Sequence, residues 1–277
     1  RRIYDEKWAG PILAQWEKRF PVKTERTTID SIVELVSRTD GPIVEIGSGG
    51  GALTLPLQRL RRPITAIEID SSYALKLRRR VSSNTTVVNT DFLRYRLPQT
   101  PCTVVGNLPF HHTTAILRRV LHADYWTAAV LIVQWEVARR RAAVGGATMM
   151  TAQWWPWYEF GLAGRVPASA FTPRPGVDAG IMTIARRRTP LVDPALRPVY
   201  SRFVHAVFTG KGHGLHQILP RVAGRSGRTA VKKWLADQQF RGTPLPRDLS
   251  AKQWSELFAV TGQSAWFTEQ IQGGRPQ

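Results

Sequence analysis

Asn107, Leu108, Pro109 and Phe110 stand together where an apolar run, residues 102–106, gives out. An amide, a carbonyl beside a proline and a flat ring, in that order, meet the needs of one reaction: methylation of an exocyclic amine on a nucleobase. The amine lone pair is delocalised into the ring, so it has to be turned toward the methyl donor while its protons are held. Asn107 offers a side-chain oxygen and Leu108 a backbone carbonyl as acceptors. Pro109 restricts the backbone around that carbonyl, and Phe110 offers a face on which an extruded base stacks. An isolated Asn-Leu-Pro-Phe reads first as an ordinary proline turn at a strand end, so its neighbours have to decide. With a sulfonium-activated methyl donor the proton leaves after nitrogen attacks, so no general base of raised pKa is required and positioning does most of the catalysis. His111 and His112, at a helix start, are read as capping, RNA-contacting or exposed residues.

The neighbours are a glycine loop and a series of acids. "EIGSGGG" runs from Glu45 through Gly47, Ser48 and Gly49 between a strand and a helix, where glycines allow a tight turn and let a ligand approach the backbone. Such a loop by itself can be purely structural. Glu68, 23 residues after Glu45, closes the next strand with Ile69 behind it and can accept hydrogen bonds from both hydroxyls of a ribose. That spacing also fits a nicotinamide dinucleotide. Asp91 and Phe92, at the third strand end, add an acid for an adenine amino group beside an apolar contact. Three successive strand ends lining one pocket is the arrangement of S-adenosylmethionine sites, where no pyrophosphate has to be held.

The elements that position these residues alternate. "PIVEI", "PITAIEID", "TTVVNTDF", "CTVVGN" and "TAAVLIVQ" are short apolar runs separated by helical stretches, and "AGIMTIA" is a last strand near Ala185. This predicts an α/β fold with a mainly parallel sheet covered on both faces. Upstream, Ile12, Leu13, Trp16 and Phe20 share one helical face, and "TTIDSIVELVSR" forms a second helix after a Thr cap. The run "MMTAQWWPWYEFGLAGRV" is hydrophobic and aromatic; its tryptophans are read as core or domain-interface residues. Beyond residue 185 the composition changes: residues 186–277 hold 15 basic and 5 acidic side chains, a net of +10, and four further helical patterns. The chain therefore divides into residues 1–185, carrying the sheet, and 186–277, a small all-helical domain, with a loose tail over the last ten residues.

Lys and Arg number 39 against 20 Asp and Glu over 277 residues, giving +19 and a strong positive field that points to a polyanionic partner. Much of the excess is Arg, in clusters at residues 59–62, 78–80, 139–141 and 186–188, and guanidinium suits phosphate geometry. No apolar run reaches the ~18–20 residues of a spanning helix and no signal peptide is evident, so a soluble, cytoplasmic protein without a membrane partner is expected. One cysteine, Cys102, and six scattered histidines exclude an internal disulfide and make a metal site unexpected.

The ordered set "EIGSGGG", Glu68, "DFL" at 91–93, "GNLPF" at 106–110, "QWEVARRRA" from Gln134, "VPASAFTPRPGVDAG" from Val166 and "FVHAVFTGKG" from Phe203 resembles the ribosomal RNA adenine dimethyltransferases, and most of all the Erm macrolide-resistance enzymes. The resemblance covers roughly residues 29–258. It implies a Rossmann-like class I methyltransferase domain plus a small helical RNA-binding domain, methylating the N6 amine of one adenine in the peptidyl-transferase region of 23S rRNA. It carries S-adenosylmethionine contacts onto Gly47, Ser48, Gly49, Glu68, Ile69, Asp91, Phe92 and Asn107, with Glu45 opening the same loop, and the base clamp onto Asn107, Leu108 and Phe110. Arg118, Arg119, Arg139, Arg140, Arg141 and Lys211 are candidate rRNA contacts, a monomer is the expected state, and drug resistance is the expected outcome. The alternative within the family is a small-subunit rRNA dimethyladenosine transferase; those enzymes usually have Tyr where Phe110 stands, so Phe favours the Erm reading. One departure is plain: residues 18–30, "KRFPVKTERTTID", lack the Gln-Asn-Phe signature that members carry before the first helix, and the chain begins at Arg1, which points to a diverged, rebuilt or trimmed amino end. Two other readings survive: a non-catalytic nucleic-acid-binding relative, and a DNA adenine methyltransferase, which would need a large sequence-reading domain. A dehydrogenase leaves the clamp unexplained.

Overall fold

The computed structural model describes residues 27–261. The helix expected around Trp16, the residues up to Arg26 and the last ten residues lie outside them. In chain order the elements are α1 (Thr28–Ser37), β1 (Ile43–Ile46), α2 (Thr54–Leu57), β2 (Ile64–Glu68), α3 (Ser71–Arg78), β3 (Thr85–Asn89), β4 (Cys102–Asn107), α4 (Thr113–His122), β5 (Trp126–Gln134), α5 (Trp135–Arg141), α6 (Met149–Trp154), β6 (Tyr158–Val166) and β7 (Ala179–Arg186). Helices α7 (Arg197–Thr209), α8 (Leu215–Val222), α9 (Gly224–Asp237) and α10 (Ala251–Thr261) follow.

The seven strands form one sheet in the order β3-β2-β1-β4-β5-β7-β6. β1 to β5 pair in parallel, and β7 runs antiparallel to β5. Every residue of β1 is buried, as expected of a central strand covered on both faces. Helix starts are written locally: Thr27 accepts from the Asp30 amide to open α1, and Asp70 accepts from the Tyr73 amide to open α3. The aromatic run after Met149 resolves into α6 and a seventh strand, β6. The strand alternates, Tyr158, Phe160, Leu162 and Val166 being buried and Glu159, Ala163 and Arg165 more exposed, but the tryptophans just before it hid that pattern in the sequence.

Among the described residues two compact units are present: residues 27–142 together with Glu159–Arg186, and Ala143–Tyr158 together with residues 187–261. The first holds the sheet. A single division at residue 185 assigns Ala143–Tyr158 to the sheet-bearing part, whereas side-chain packing ties that segment to α7. The Tyr200 hydroxyl donates to the Ala152 carbonyl at 3.0 Å, and the Arg197 guanidinium lies 5.1 Å from the ring centroids of both Trp154 and Trp157. Tyr200, Phe203, Trp254 and Phe258 complete an aromatic core in that second unit through edge-on ring contacts. Burial pushes the Tyr200 phenol well above its ordinary range.

Candidate active site

Strand register aligns the residues that sequence spacing selected. Ile46 pairs with Ile67 and with Gly106, and Glu68 pairs with Asn89, so the carboxyl ends of β1, β2, β3 and β4 lie side by side. This is the edge at which open α/β sheets bind ligands. The close approach of β4 to β1 depends on Gly106: a Cβ there would sit 2.8 Å from the Ile46 carbonyl oxygen.

The loop after β1 turns through Gly47 at φ +67° and Gly49 at φ +53°, a region other residues rarely adopt. Glu68, buried, anchors it: Oε2 accepts from the Gly49 amide at 2.6 Å and Oε1 from the Asp70 amide at 2.8 Å. Each carboxylate oxygen keeps a further lone pair, so ribose hydroxyls remain within the acid's capacity. Arg80 donates to the Gly50 carbonyl at 2.7 Å, and the Asn89 side chain donates to the Glu68 and Ile69 carbonyls, which fixes the loop from the far side. Glu45 lies deeper, buried and bonded to the Thr54 hydroxyl at 2.6 Å. Loss of solvation, opposed by the Thr54 hydrogen bonds, raises its pKa to about 8, with Glu68 adding a smaller push in the same direction. At neutral pH this carboxyl is chiefly protonated and supports the loop from below.

Beside the loop an apolar slot of about 140 Å³ is lined by Ile67, Ile69, Asp91, Phe92, Pro109 and His112, among others. Asp91 uses Oδ1 to accept from the Leu93 amide at 2.9 Å. Phe92 is buried, whereas Ile69 is 69% exposed and forms an open wall. His112 is exposed and sits at the N-cap position of α4, both among the placements the sequence offered, and it also forms part of the slot's wall. Nothing in residue type announced this, because the placement comes from the turn that precedes α4.

That turn is the clamp. Leu108 donates its amide to the Ile132 carbonyl at 2.9 Å, and the Pro109 carbonyl accepts from the His112 amide and the Thr113 hydroxyl. Among the described residues neither the Asn107 side chain nor the Leu108 carbonyl has a hydrogen-bond partner. Asn107 is exposed, Leu108 buried, and Phe110 half-buried against the core cluster that also receives Phe171, an aromatic missed by the sequence reading. Asp178 is a second omission. It accepts from the Ala168 amide and from Arg165 at 2.8 Å each, its carbonyl accepts from the Trp135 amide, and so it ties "VPASAF" to "QWEVARRRA". The amide of Ala168 and then Arg165 hold its carboxyl below the usual range. The candidate RNA residues are dispersed. Arg119 donates to the Tyr95 carbonyl, Arg139 pairs with Glu136, and Arg141 is partly buried near Arg118 and Arg140. Lys211 is exposed in the other unit.

A family model described as ribosomal RNA adenine dimethylase matches residues 22–253. The chain belongs to that family. It is 55% identical over 199 residues, 72% of this chain and 79% of the relative, to an rRNA adenine N-6-methyltransferase of Corynebacterium diphtheriae. It is 44% identical over 238 residues, 85% and 75%, to the mycinamicin-resistance protein MyrB of Micromonospora griseorubida. Among solved structures the 23S rRNA methyltransferase ErmE matches with TM-score 0.78 and 34% identity, over 86% of this chain and 98% of that one. A Plasmodium falciparum dimethyladenosine transferase, at 19% identity and TM-score 0.65, shares the fold. The chain is thus an S-adenosylmethionine-dependent rRNA adenine N6-methyltransferase with a Rossmann-like sheet. The site fits the cofactor. Ser48 Oγ is buried in the loop without a hydrogen-bond partner, and Cβ atoms built on Gly49 and Gly50 would meet nothing within 4 Å, which leaves the backbone open to a ligand.

Proposed function

We propose that the chain methylates the N6 amine of one adenine in the peptidyl-transferase region of 23S rRNA, and that the modification confers macrolide, lincosamide and streptogramin B resistance. The protein works as a cytoplasmic monomer, with the sheet-bearing unit serving the chemistry and the helical unit the RNA. The observation that carries this reading is the pair of uncommitted acceptors, Asn107 Oδ1 and the Leu108 carbonyl, held beside the slot by a hydrogen-bonded turn. S-adenosylmethionine supplies, when bound, a methyl group on a positively charged sulfur. Glu68 and Asp91 would hold it at the ribose and the adenine, and Ile69 and Phe92 would supply the apolar contacts. The two acceptors receive hydrogen bonds from the N–H groups of the target amine and turn its lone pair out of the base plane. Phe110 stacks on the extruded base, and Pro109 keeps the Leu108 carbonyl from turning away. Rate comes from this placement, with the amine proton lost to water after transfer. Arg118, Arg119, Arg139, Arg140, Arg141 and Lys211 contribute phosphate contacts. Methylation removes a hydrogen-bond donor and adds bulk where the drugs bind.

The test is transfer of labelled methyl to protein-free 23S rRNA and, in parallel, small-subunit rRNA, with primer extension to locate the base. A single stop at a peptidyl-transferase adenine, lost with Asn107→Ala, is expected. A stop in small-subunit rRNA instead, or RNA binding without transfer, would overturn the proposal.

A further inference from the structure

Between Asp193 and Asp237 the chain contains no Asp or Glu, and within that span Lys211, Arg221, Arg225, Arg228, Lys232 and Lys233 are all exposed. Five of these six lie on α8 and α9, which form a tight hairpin whose only linking residue is Ala223, with Gly224 at φ +67° opening α9. The inward faces are apolar: Leu215, Ile218 and Leu219 on α8, Val231, Trp234 and Leu235 on α9. That burial fixes the opposite face. Arg225, Arg228 and Lys232 fall at i, i+3 and i+7, one stripe about 10 Å long, with Lys233 adjoining it. Arg221 donates to the Lys211 carbonyl and so brings the preceding loop against the same end of the hairpin. Among the described residues no carboxylate pairs with any of the six.

Cations without acids to balance them repel one another, and an external polyanion relieves that repulsion. We propose that the α8–α9 hairpin is a sequence-independent anchor for the RNA phosphate backbone, distinct from the base clamp, which alone selects the adenine. The inference rests on the rRNA-methylating reading above. Its partner is nucleic-acid phosphate: the cations follow one helix stripe, as a regularly charged strand requires. Among the exposed residues of α9 there is no aromatic side chain to stack on a base and no Asn or Gln to read one.

The experiment measures the affinity of the full chain for its target-region RNA and for an unrelated RNA duplex as a function of KCl. The variant is Arg225→Gln/Arg228→Gln/Lys232→Gln/Lys233→Gln. Each lost phosphate contact removes about 0.9 from the slope of log K against log salt, so the four together should shrink it by roughly 3.6 and lower affinity at 0.1 M salt on the order of 10³-fold. The loss should be equal for both RNAs, with S-adenosylhomocysteine binding unchanged as the check on folding. Arg225→Lys/Arg228→Lys should keep the slope, since a point charge serves a phosphate. An unchanged slope in the Gln variant overturns the anchor, as does a loss confined to the target RNA. Loss of binding to phosphatidylserine vesicles with RNA binding intact would assign the stripe to a membrane surface instead. Wild-type protein that binds neither RNA would refute the rRNA reading itself, a result separable from failure of the hairpin.

Discussion

The cofactor cradle and the base clamp sit at neighbouring strand ends yet are built in opposite ways. In the cradle the carboxylates are already tied to the protein, with lone pairs to spare: both oxygens of Glu68 hold loop amides, Glu45 is bonded to Thr54, and Asp91 holds the Leu93 amide, while Ser48 Oγ stays open. In the clamp the backbone is tied down while its working acceptors are open. The contrast separates two tasks. A cradle that is hydrogen-bonded before its ligand arrives has little ordering left to do, which favours affinity. A clamp with uncommitted acceptors can bond strongly to an amine as it changes shape toward the transition state, which favours rate. Damage to one half should therefore move binding, and damage to the other turnover.

The sharpest way to break that contrast is Asn107→Ala. Methyl transfer at saturating cofactor and RNA should fall by about 10²–10³-fold, the scale of a lost transition-state hydrogen bond. Affinity for S-adenosylhomocysteine, by calorimetry, should change less than about fivefold. An affinity loss as large as the rate loss would mean that the clamp belongs to the cradle.

The cradle has a pH signature that the clamp lacks. Glu45 has a folded-state pKa of about 8 against an ordinary 4.5. The folded chain thus keeps a proton that the unfolded chain releases. Its stabilising contribution is complete below pH ~4.5 and is lost as pH rises through about 8, by at most ~1.4 kcal/mol per pH unit. Glu45→Gln keeps an acceptor for Thr54 and removes the titration. Denaturant melts at pH 6 and pH 9 should show the variant gaining stability relative to wild type at the higher pH. Parallel curves would place Glu45 in contact with water.

Glu68→Ala strips the Gly49 and Asp70 amides of their acceptor and the ribose of its partner. Affinity for S-adenosylhomocysteine should fall about 10- to 100-fold, while turnover at saturating cofactor stays within severalfold of wild type. A turnover collapse at full occupancy would erase the division between the two halves.

How much of this was legible depended on whether a residue acts through its type and place in the chain or through what folds against it. Glu68, Asp91 and Asn107 follow parallel strands, and register alone brings such positions together. Gly47 and Gly49 were legible because their backbone angles exclude most other residues. Asp178 was missed because its three partners, Arg165, Ala168 and Trp135, come from separate elements. Strand β6 was missed although it alternates Tyr158, Phe160 and Leu162 with Glu159 and Ala163, because the tryptophan-rich run that leads into it reads as one continuous apolar stretch. Arginine clusters read as polyanion contacts proved mixed: Arg62, Arg78, Arg80 and Arg186 donate to backbone carbonyls within the first unit. Composition counts charges without showing which are already spent.

His112 tests the contrast at its boundary, because its amide belongs to the clamp turn and its residue lines the cofactor slot. If the slot governs, His112→Ala should weaken S-adenosylhomocysteine binding about 3- to 10-fold, with methylthioadenosine, which lacks the amino-acid arm, weakened equally. Saturated turnover should hold. His111→Ala, whose ring lies 4.1 Å from that of His112, should leave both affinities alone because His111 is not among the slot's lining residues. Equal effects from the two histidines would show that the pair acts by shaping the turn, and the boundary between cradle and clamp would then lie at Pro109.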